Sequence, residues 1–365
     1  MESSLPFPPP PAAAAPSLVG LTRDELTALM VSWGEKPFRA RQLWGWVYAK
    51  LVTDPQEMTD LAKPFRARLM AELPIRPAVE TISRQQSEDG TVKWLFRMED
   101  DQRIETVYIP DMERGTLCVS SQAGCTLGCP FCHTGMQGFS RNLTAAEIVE
   151  QALRARIDMA EQGRRLTNIV FMGMGEPLYN YDAVAQAARI LMDGCGLAIG
   201  TRKVTLSTAG VAPLLGRVGR ELGVNLAISL HSVRDATRDV LVPLNRKYPL
   251  AELREAAREY PRGTGRRILW EWVLLDGVND SVEEARELVR FVQGIPSKIN
   301  LIPFNPWPGG TYRPSSPEAS ARFQEVLWKA QLVAVMRESR GGDIAAACGQ
   351  LKGELSGTKC RRERS

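Results

Sequence analysis

Apolar residues change their spacing twice along the chain, and each change predicts a different kind of structure. From Thr22 to about residue 75 they recur every three to four positions, which is typical of amphipathic helices. Between 79 and 110 the spacing shortens to two around the turn sequence Glu88-Asp89-Gly90, which predicts a hairpin or short β extension. From Thr116 onward, short apolar runs alternate with helical patterns.

This alternation predicts the class of fold. The apolar runs are 117–121, 168–173, 203–208, 225–231, 267–275 and 299–304. Helical patterns between them begin near Thr144, Tyr181, Ala212, Leu250, Ser281 and Ser316. Strands that alternate with helices form parallel sheets. We therefore expect an α/β fold with a partial (β/α)6 TIM-like barrel, preceded by a small helical domain and a β extension.

Composition divides the chain further. Residues 1–20 are rich in Pro and Ala and bury too little apolar surface to offset ordering, so they are expected to form a disordered leader. We expect a helical accessory domain at 21–75, a β extension at 76–112 and a barrel with its carboxyl-terminal loop at 113–351. The remaining residues, 352–365, form a tail with five basic and two acidic side chains.

The overall values are those of a globular protein: 365 residues, 44% hydrophobic, 24% charged, mean hydropathy −0.20. No apolar run approaches the ~18 residues of a membrane span. The start has Glu2 and no basic residue before Arg23, unlike a secretory signal, so we expect a cytoplasmic protein without a membrane partner. The net charge of +4 is weak evidence for a nucleic-acid partner.

The helical domain carries a more specific pattern, in which basic residues alternate with Trp44, Trp46 and Tyr48. Such a mixture is typical of RNA contact, but a packed core with a solvated basic face produces the same pattern. Both interpretations remain open from the sequence. The basic residues are Lys36, Arg39, Arg41, Lys50, Lys63, Arg66 and Arg68.

Three of the seven cysteines lie in one short sequence, Cys125-Thr-Leu-Gly-Cys129-Pro-Phe-Cys132, after the first predicted barrel strand. Reduced thiols that bind a metal fit this crowding better than disulfides. Zinc with His133 as a fourth ligand is one interpretation, but no second pair of ligands follows elsewhere. Three thiolates on a 4Fe-4S cluster leave one iron open for a substrate or cofactor. The spacing favours the cluster.

This C-x3-C-x2-C sequence resembles the signature of the radical S-adenosylmethionine (SAM) superfamily. Polar residues also follow later strands, in Met172-Gly-Met-Gly-Glu-Pro177, Ser207-Thr208, Ser229-Leu-His231 and Asn305. The carboxyl ends of barrel strands are where active sites form. The resemblance implies a 4Fe-4S cluster on Cys125, Cys129 and Cys132. It implies SAM contacts from Gly175, Glu176, Ser207, Ser229, Leu230, His231 and Asn305.

Two further motifs narrow the resemblance: 116–122, just before the cysteine loop, and 341–350, with the sequence Gly-Gly-Asp-Ile-Ala-Ala-Ala-Cys-Gly-Gln. With 137–139 and 141–144 they resemble the bacterial dual-specificity RNA adenine-C2 methyltransferases, from about 21 to 351. That resemblance implies 23S rRNA and tRNA as partners, a monomeric enzyme, and an electron donor such as flavodoxin with its reductase. A sister group methylates C8 of the same ribosomal adenosine.

The resemblance also implies a covalent mechanism, because the electron-poor C2 of adenine is no nucleophile. One SAM methylates Cys348, and a radical derived from a second SAM activates that methyl group for addition to C2. Cys118 then forms a disulfide with Cys348 and releases the RNA, and Glu105 serves as proton acceptor. Without the resemblance, both cysteines are interpreted as small buried residues and Glu105 as a solvent-facing carboxylate.

A non-catalytic 4Fe-4S protein that binds RNA is the alternative from another functional class. The residues expected to contact SAM argue against it, because a passive cluster protein needs no SAM pocket. A radical SAM enzyme that activates a protein would lack the pair Cys118 and Cys348. No role is expected for His133, Cys195 or Cys360.

Overall fold

A computed structural model describes residues 17–73, 75 and 77–353 of the chain. Its amino-terminal part contains three helices: α1 (Arg23–Ser32), α2 (Phe38–Trp44) and α3 (Lys63–Glu72). A capping box begins α1: the Thr22 hydroxyl accepts from the Glu25 amide, and the Glu25 carboxylate accepts from the Thr22 amide. α2 continues into a π-helical turn, Gly45–Ala49. The predicted helical domain is therefore helical in the structure.

The predicted leader differs from the structure at its end. Leu18 and Val19 are fully buried, and Gly20 adopts a φ of +107° against Ala146, with its carbonyl accepting from Gln186. A side chain at Gly20 would lie 2.9 Å from Ala146. The expectation of disorder is thus wrong for 17–20, because two apolar side chains there find a surface to pack on. Residues 1–16 lie outside the described residues.

The β extension has three strands, not one hairpin: β1 (Glu80–Gln86), β2 (Val92–Arg97) and β3 (Arg103–Asp111). They pair antiparallel in chain order, and β3 pairs antiparallel with β4 (Arg114–Cys118). The extension is therefore continuous with the main sheet. This pairing places Val107 opposite Cys118.

The main sheet has the strand order β1-β2-β3-β4-β7-β8-β9-β10-β11-β12, and β4 and all later members of it pair in parallel. The six predicted strands are present. A seventh parallel strand, β12, was missed because its run is four residues long. The later strands are β7 (Asn168–Phe171), β8 (Val204–Thr208), β9 (Asn225–Ser229), β10 (Ile268–Leu274), β11 (Ser297–Pro303) and β12 (Val333–Met336). A small hairpin contains β5 (Gln122–Gly124) and β6 (Phe139–Asn142).

The helices that follow these strands begin within one residue of every predicted start. Thr144 and Glu147 form the capping box expected from their spacing. No helix among the described residues is long and apolar enough to cross a membrane. The helices are α4 (His133–Gln137), α5 (Ala145–Glu161), α6 (Tyr181–Met192), α7 (Ala212–Glu221), α8 (Asp235–Leu241), α9 (Leu250–Glu259), α10 (Val282–Val292) and α11 (Pro317–Lys329).

Candidate active site

The three clustered cysteines lie between β5 and α4 and line a cavity of about 170 Å³, which we call the cysteine-loop cavity. The loop is tightly turned: the Cys125 amide donates to Gly138 and the Cys132 amide to Cys129. Gly135 packs directly on this turn, since a Cβ there would lie 2.8 Å from the Cys129 carbonyl oxygen. The local backbone therefore holds all three thiols against one space.

Burial raises the pKa of all three thiols, that of Cys125 to about 12. Thiolates in this loop thus need a cation to stabilise them, which a metal centre supplies. Among the described residues, no three His, Cys, Asp or Glu side chains lie close enough to hold one metal ion. A four-iron cluster takes one thiolate per iron, so its ligands stand farther apart. The loop fits such a cluster better than it fits zinc.

Glu176, just after β7, lies on the same cavity. Its carboxylate accepts from the Ala209 amide at 2.7 Å and the Leu178 amide at 3.0 Å. Burial raises its pKa to about 7, although these hydrogen bonds lower it. A buried carboxylate held by two amides is suited to receive a cation such as an ammonium group.

The turn before Glu176 requires glycine. Gly175 has a φ of +99°, and a Cβ at this position would lie 2.5 Å from the Gln122 side chain. That close approach lets the Glu176 amide donate to the Gln122 side-chain oxygen at 3.0 Å. The glycine predicted for the SAM site is thus explained by packing between the turn and β5.

Ser207, Ser229 and His231, which are expected to contact SAM, also line the cysteine-loop cavity. Burial lowers the pKa of His231 to about 3, so the ring is neutral. Its Nδ1 accepts from the Val273 amide at 3.0 Å, which leaves the proton on Nε2. Leu230 is fully buried and not part of the lining; its amide donates to the Glu271 carbonyl.

A second cavity, of about 110 Å³, adjoins the first, and we call it the two-cysteine cavity. It is lined by Cys118, at the end of β4, and Cys348, which are remote in sequence. Cys132 and Cys348 lie on both cavities. Cys118 is buried, whereas Cys348 is exposed on one side. Burial raises the pKa of the Cys118 thiol, and a negative charge on Cys348 raises it further.

Cys348 reaches this position because the C-terminal segment, residues 341–353, is fastened to the β extension. Asp89 accepts from the Gly341 amide at 2.9 Å. Lys93 donates to the Ala345 carbonyl at 3.3 Å, and Glu105 accepts from the Lys352 amide at 2.7 Å. Lys93 and Glu105 form an ion pair of 2.9 Å in which both side chains are nearly buried.

The same segment is also fastened to the cysteine loop and to the end of β11. The His133 amide donates to Gly349 at 2.8 Å, and the Thr134 hydroxyl to the Leu351 carbonyl at 2.6 Å. Asn305 donates to the Cys348 carbonyl at 3.1 Å. Lys352, the first residue of the predicted tail, is thus anchored; 354–365 lie outside the described residues.

Two predicted site residues have other neighbours than expected. Asn305 lies on the two-cysteine cavity and holds the backbone of Cys348; it does not line the cavity with Glu176. Glu105 lines neither cavity, and its carboxylate binds Lys93 and the Lys352 amide. Both residues therefore fasten the C-terminal segment in this structure.

Sequence reasoning missed Glu271, Arg238 and Lys93. Glu271, on β10, lines both cavities and accepts from Asn300, yet it lies within an apolar run. Arg238 looks like an ordinary helix-surface residue, although it is fully buried. Nothing in the local sequence distinguishes these residues, because their partners come from other strands.

Parallel strands with three cysteines and a buried carboxylate on one cavity at their carboxyl ends define the radical SAM class of enzymes. The radical SAM superfamily model matches residues 119–292, and the model of the ribosomal RNA large subunit methyltransferase N-terminal domain matches 17–75. The chain is 61% identical to the dual-specificity RNA methyltransferase RlmN of Magnetococcus marinus, over 94% of this chain and 97% of that protein.

It is also 54% identical to the dual-specificity RNA methyltransferase RlmN of Rhodospirillum rubrum, over 93% of this chain and 80% of the relative. A crystal structure of a radical SAM methyltransferase from Sphaerobacter thermophilus superposes with a TM-score of 0.88 at 47% identity, covering 92% of this chain and 99% of the other. The chain therefore belongs to the RlmN family of radical SAM methyltransferases, which use an iron-sulfur cluster and SAM.

Proposed function

We propose that this protein methylates C2 of an adenosine in 23S rRNA and of the adenosine 3′ of the anticodon in tRNA, as the dual specificity in its relatives' names suggests. The observation that carries the proposal is the placement of Cys118 and Cys348 on one cavity that adjoins the cysteine loop. Chemistry at an unreactive ring carbon needs a covalent carrier and a means of release, and two thiols beside a cluster site supply both.

In this proposal, Cys125, Cys129 and Cys132 hold the 4Fe-4S cluster, and the polar residues of the cysteine-loop cavity hold SAM. The cluster, when bound, supplies the electron that cleaves SAM to a 5′-deoxyadenosyl radical. Glu176 binds the SAM ammonium group through its buried carboxylate. Ser207, Ser229 and the neutral His231 surround the rest of the molecule without adding a charge.

Cys348 is the methyl carrier in this proposal, since it lies on both cavities and faces both SAM and the RNA base. Its sulfur attacks the methyl carbon of one SAM, S-adenosylhomocysteine leaves, and the thiol proton is lost.

In the proposed sequence, the 5′-deoxyadenosyl radical takes one hydrogen atom from the methyl group on Cys348, and the carbon radical that remains adds to C2. Loss of one electron, for which the cluster would be the acceptor, and of the C2 proton restores the aromatic ring. The Cys118 thiolate then attacks the Cys348 sulfur, and the bond from that sulfur to carbon breaks with its electron pair staying on the carbon. One proton completes the methyl group of the freed RNA, and an external reductant restores the two thiols.

Glu105 was predicted to be the proton acceptor, and that role stays a prediction. Burial raises the pKa of its carboxyl group, and Lys93 lowers it. The contacts with Lys93 and the Lys352 amide also support an anchoring role for the C-terminal segment. Glu105 can act as a base only if the C-terminal segment shifts, because both of its carboxylate oxygens already have partners.

We also propose that the helical domain contributes to RNA binding. Of the aromatic residues expected to alternate with basic ones, Trp44 and Tyr48 are buried in the core, while Trp46 is partly exposed beneath the Lys50 ammonium at 3.3 Å. The basic side chains that remain available for RNA are those of Lys36, Arg41, Lys50 and Lys63, which are exposed among acidic residues such as Glu57. The affinity should therefore fall steeply with salt.

The remaining partner assignments belong to this proposal. The protein acts in the cytoplasm as a monomer, where a flavodoxin with its reductase donates the electrons. These assignments follow from the family's chemistry, which consumes reducing equivalents and acts on ribosomal and transfer RNA. Sedimentation of the reconstituted protein and activity with reduced flavodoxin as sole donor test them. A stable dimer, or turnover only with another class of donor, would contradict them.

The function is tested by incubating unmodified 23S rRNA and tRNA with anaerobically reconstituted protein, methyl-labelled SAM and reductant. Mass spectrometry of the digested RNA should detect labelled 2-methyladenosine. The Cys195→Ala variant is a matched control, because Cys195 is an exposed cysteine outside the site. Labelled 8-methyladenosine would assign the protein to the sister activity, and RNA binding without methylation would favour the non-catalytic alternative.

A further inference from the structure

Arg238 on α8 is a fully buried cation that no step of the proposed mechanism uses. Its guanidinium donates to backbone carbonyls at the ends of two neighbouring barrel strands: Ala209 at 2.6 Å, Ser229 at 3.2 Å and Leu230 at 3.0 Å. Its remaining partner is the Asn245 side-chain oxygen at 2.8 Å. Four donated hydrogen bonds therefore fix the orientation of this side chain.

These carbonyls belong to the site. Ala209 and Ser229 both line the cysteine-loop cavity, and the Ala209 amide holds the Glu176 carboxylate. Arg238 thus supports the wall of the cavity from behind. Neutral hydrogen-bond donors would be sufficient for that task, so the positive charge itself needs an explanation.

The charge has no carboxylate in contact. No ion pair among the described residues includes Arg238. Asp235 and Asp239 reach it through Asn245, whose amide nitrogen donates to both of them at 2.8 and 2.7 Å. A buried charge without a contacting partner costs several kcal/mol, typically. Burial lowers the pKa of Arg238 to about 10, so the group is still charged at neutral pH.

The cavity on the other side of these carbonyls is lined by two kinds of anionic group, the Glu176 carboxylate and the cysteine loop. Arg238 donates to the Ala209 and Ser229 carbonyls, and Cys129 lines the same cavity as these two residues, so the buried charge lies directly behind the wall of the cluster site. A cluster on three thiolates is anionic, and its reduction adds one more negative charge. The reduction potential of such a cluster depends on nearby charges and on the solvent exposure of the site. A buried cation behind the cavity wall is screened little by solvent.

We propose that Arg238 is a positioning residue whose buried charge balances the anionic cluster and raises its reduction potential, while its hydrogen bonds hold the carbonyl wall of the SAM cavity. The proposal rests on the assignment of Cys125, Cys129 and Cys132 as the cluster ligands. It makes the electron transfer to the cluster depend on a residue that lines neither cavity.

The test compares four variants of the anaerobically reconstituted full-length protein: Arg238→Gln, Arg238→Lys, Asp239→Asn and Arg234→Gln. Iron and sulfide content are measured first, and the midpoint potential of the cluster then follows from a redox titration read by electron paramagnetic resonance. Arg234 is the matched control, because it lies one helical turn away, is 45% exposed and is paired with Glu287.

Arg238→Gln should shift the midpoint potential to more negative values, because the reduced cluster loses a stabilising cation. Arg238→Lys should keep a potential near that of the unaltered protein, since the charge remains. Asp239→Asn should shift the potential upward, because it removes an opposing negative charge. Arg234→Gln should leave the potential unchanged, since its charge is screened by solvent.

An unchanged potential in a fully loaded Arg238→Gln protein would overturn the proposal. If that variant fails to load its cluster, Asp239→Asn decides, and an unchanged potential there has the same meaning. A shift in Arg238→Lys as large as in Arg238→Gln would assign the effect to hydrogen bonds and overturn the role of charge. Absence of an iron-sulfur cluster from the unaltered protein would instead refute the ligand assignment.

Discussion

The two adjoining cavities of the site are built in different ways. Most polar residues of the cysteine-loop cavity lie at the end of a strand or just after one, so the parallel sheet brings Glu176, Ser207 and Ser229 to one edge, and Cys348 and Gly349 add to the wall. The two-cysteine cavity joins a strand end, Cys118, to a segment near the carboxyl terminus, Cys348. Its geometry depends on the contacts that fasten the C-terminal segment. The polar residues of the first cavity are thus positioned mainly by the barrel, whereas the second cavity depends on the contacts of a distant segment.

The largest effect should come from replacing a cysteine of the cysteine loop, because cluster binding and SAM cleavage both depend on it. Replacing Cys125, Cys129 or Cys132 by Ala removes a ligand, so cluster iron and SAM cleavage should both be lost. Iron analysis and the release of 5′-deoxyadenosine measure this result. Cys195→Ala should retain both. A variant that lost one of the three thiols and kept full cleavage would contradict the ligand assignment.

The next largest effect should distinguish the roles of the two cysteines of the second cavity. Cys348→Ala removes the nucleophile, so neither a methylated cysteine nor an adduct with RNA should form. Cys118→Ala should leave both steps intact but block release, and protein cross-linked to RNA should accumulate.

Gel electrophoresis before and after nuclease treatment detects this adduct, and peptide mass spectrometry locates it on Cys348. SAM cleavage should persist in Cys118→Ala, because Cys118 lines the two-cysteine cavity and not the cysteine-loop cavity. Normal turnover of Cys118→Ala would show that release does not need a second thiol in this protein.

A smaller effect is expected from loosening the C-terminal segment. Lys93→Met leaves the buried Glu105 carboxylate without its ion-pair partner, which should cost about 3 kcal/mol of unfolding free energy. Urea titration measures this loss, and hydrogen exchange of residues 341–353 should become faster.

The exposed Lys63→Met is the matched control and should change neither quantity. SAM binding in Lys93→Met should stay close to normal, since the first cavity does not include this pair. A parallel loss of SAM affinity would mean that the two cavities are not independent.

The smallest effect concerns Glu176 and acts on the first cavity alone. Glu176→Gln should weaken SAM binding by about 1.5 to 3 kcal/mol, the usual range for a hydrogen bond to a charged group. In the unaltered protein the affinity should rise with pH through about 7, as the carboxyl group becomes charged.

In the SAM-free protein, the stability of the fold should change with pH in the opposite direction to the SAM affinity. The folded-state pKa of Glu176 is raised above its ordinary value, so stability present at acidic pH is lost as the pH rises through about 7. Thermal unfolding from pH 5 to 8 measures this loss. Glu176→Gln should remove the part of the slope of stability against pH that Glu176 causes. Equal slopes in both proteins would mean that another group is responsible.

The sequence predicted the residues of the two cavities to different degrees. Helix starts such as Thr144 and Ser281 were predicted within one residue, since caps act within a few positions of the chain. Of the residues expected at strand ends, Glu176, Ser207, Ser229 and His231 line the first cavity, and Leu230 does not. Asn305 also follows a strand, yet it faces Cys348 instead, because the C-terminal segment occupies the space beside it.

The second cavity could be predicted only through the family resemblance. Nothing local to Cys348 indicates that Asp89, Lys93 and Glu105 fasten its segment, because these contacts come from the β extension. The burial of Leu18 and Val19 was missed for a similar reason. A short apolar pair is too weak a pattern to predict its own burial.

The order of the six predicted strands and of the helices after them, the three-cysteine loop and the family could all be inferred from the printed residues. These features depend on periodicity, caps and spacing, which act over short stretches of chain. That Cys118 and Cys348 share a cavity, that Glu105 is paired with Lys93 and that Arg238 is a buried cation became clear only from the folded chain. Burial and charge balance depend on every element that packs around a residue, and the local sequence does not contain that information.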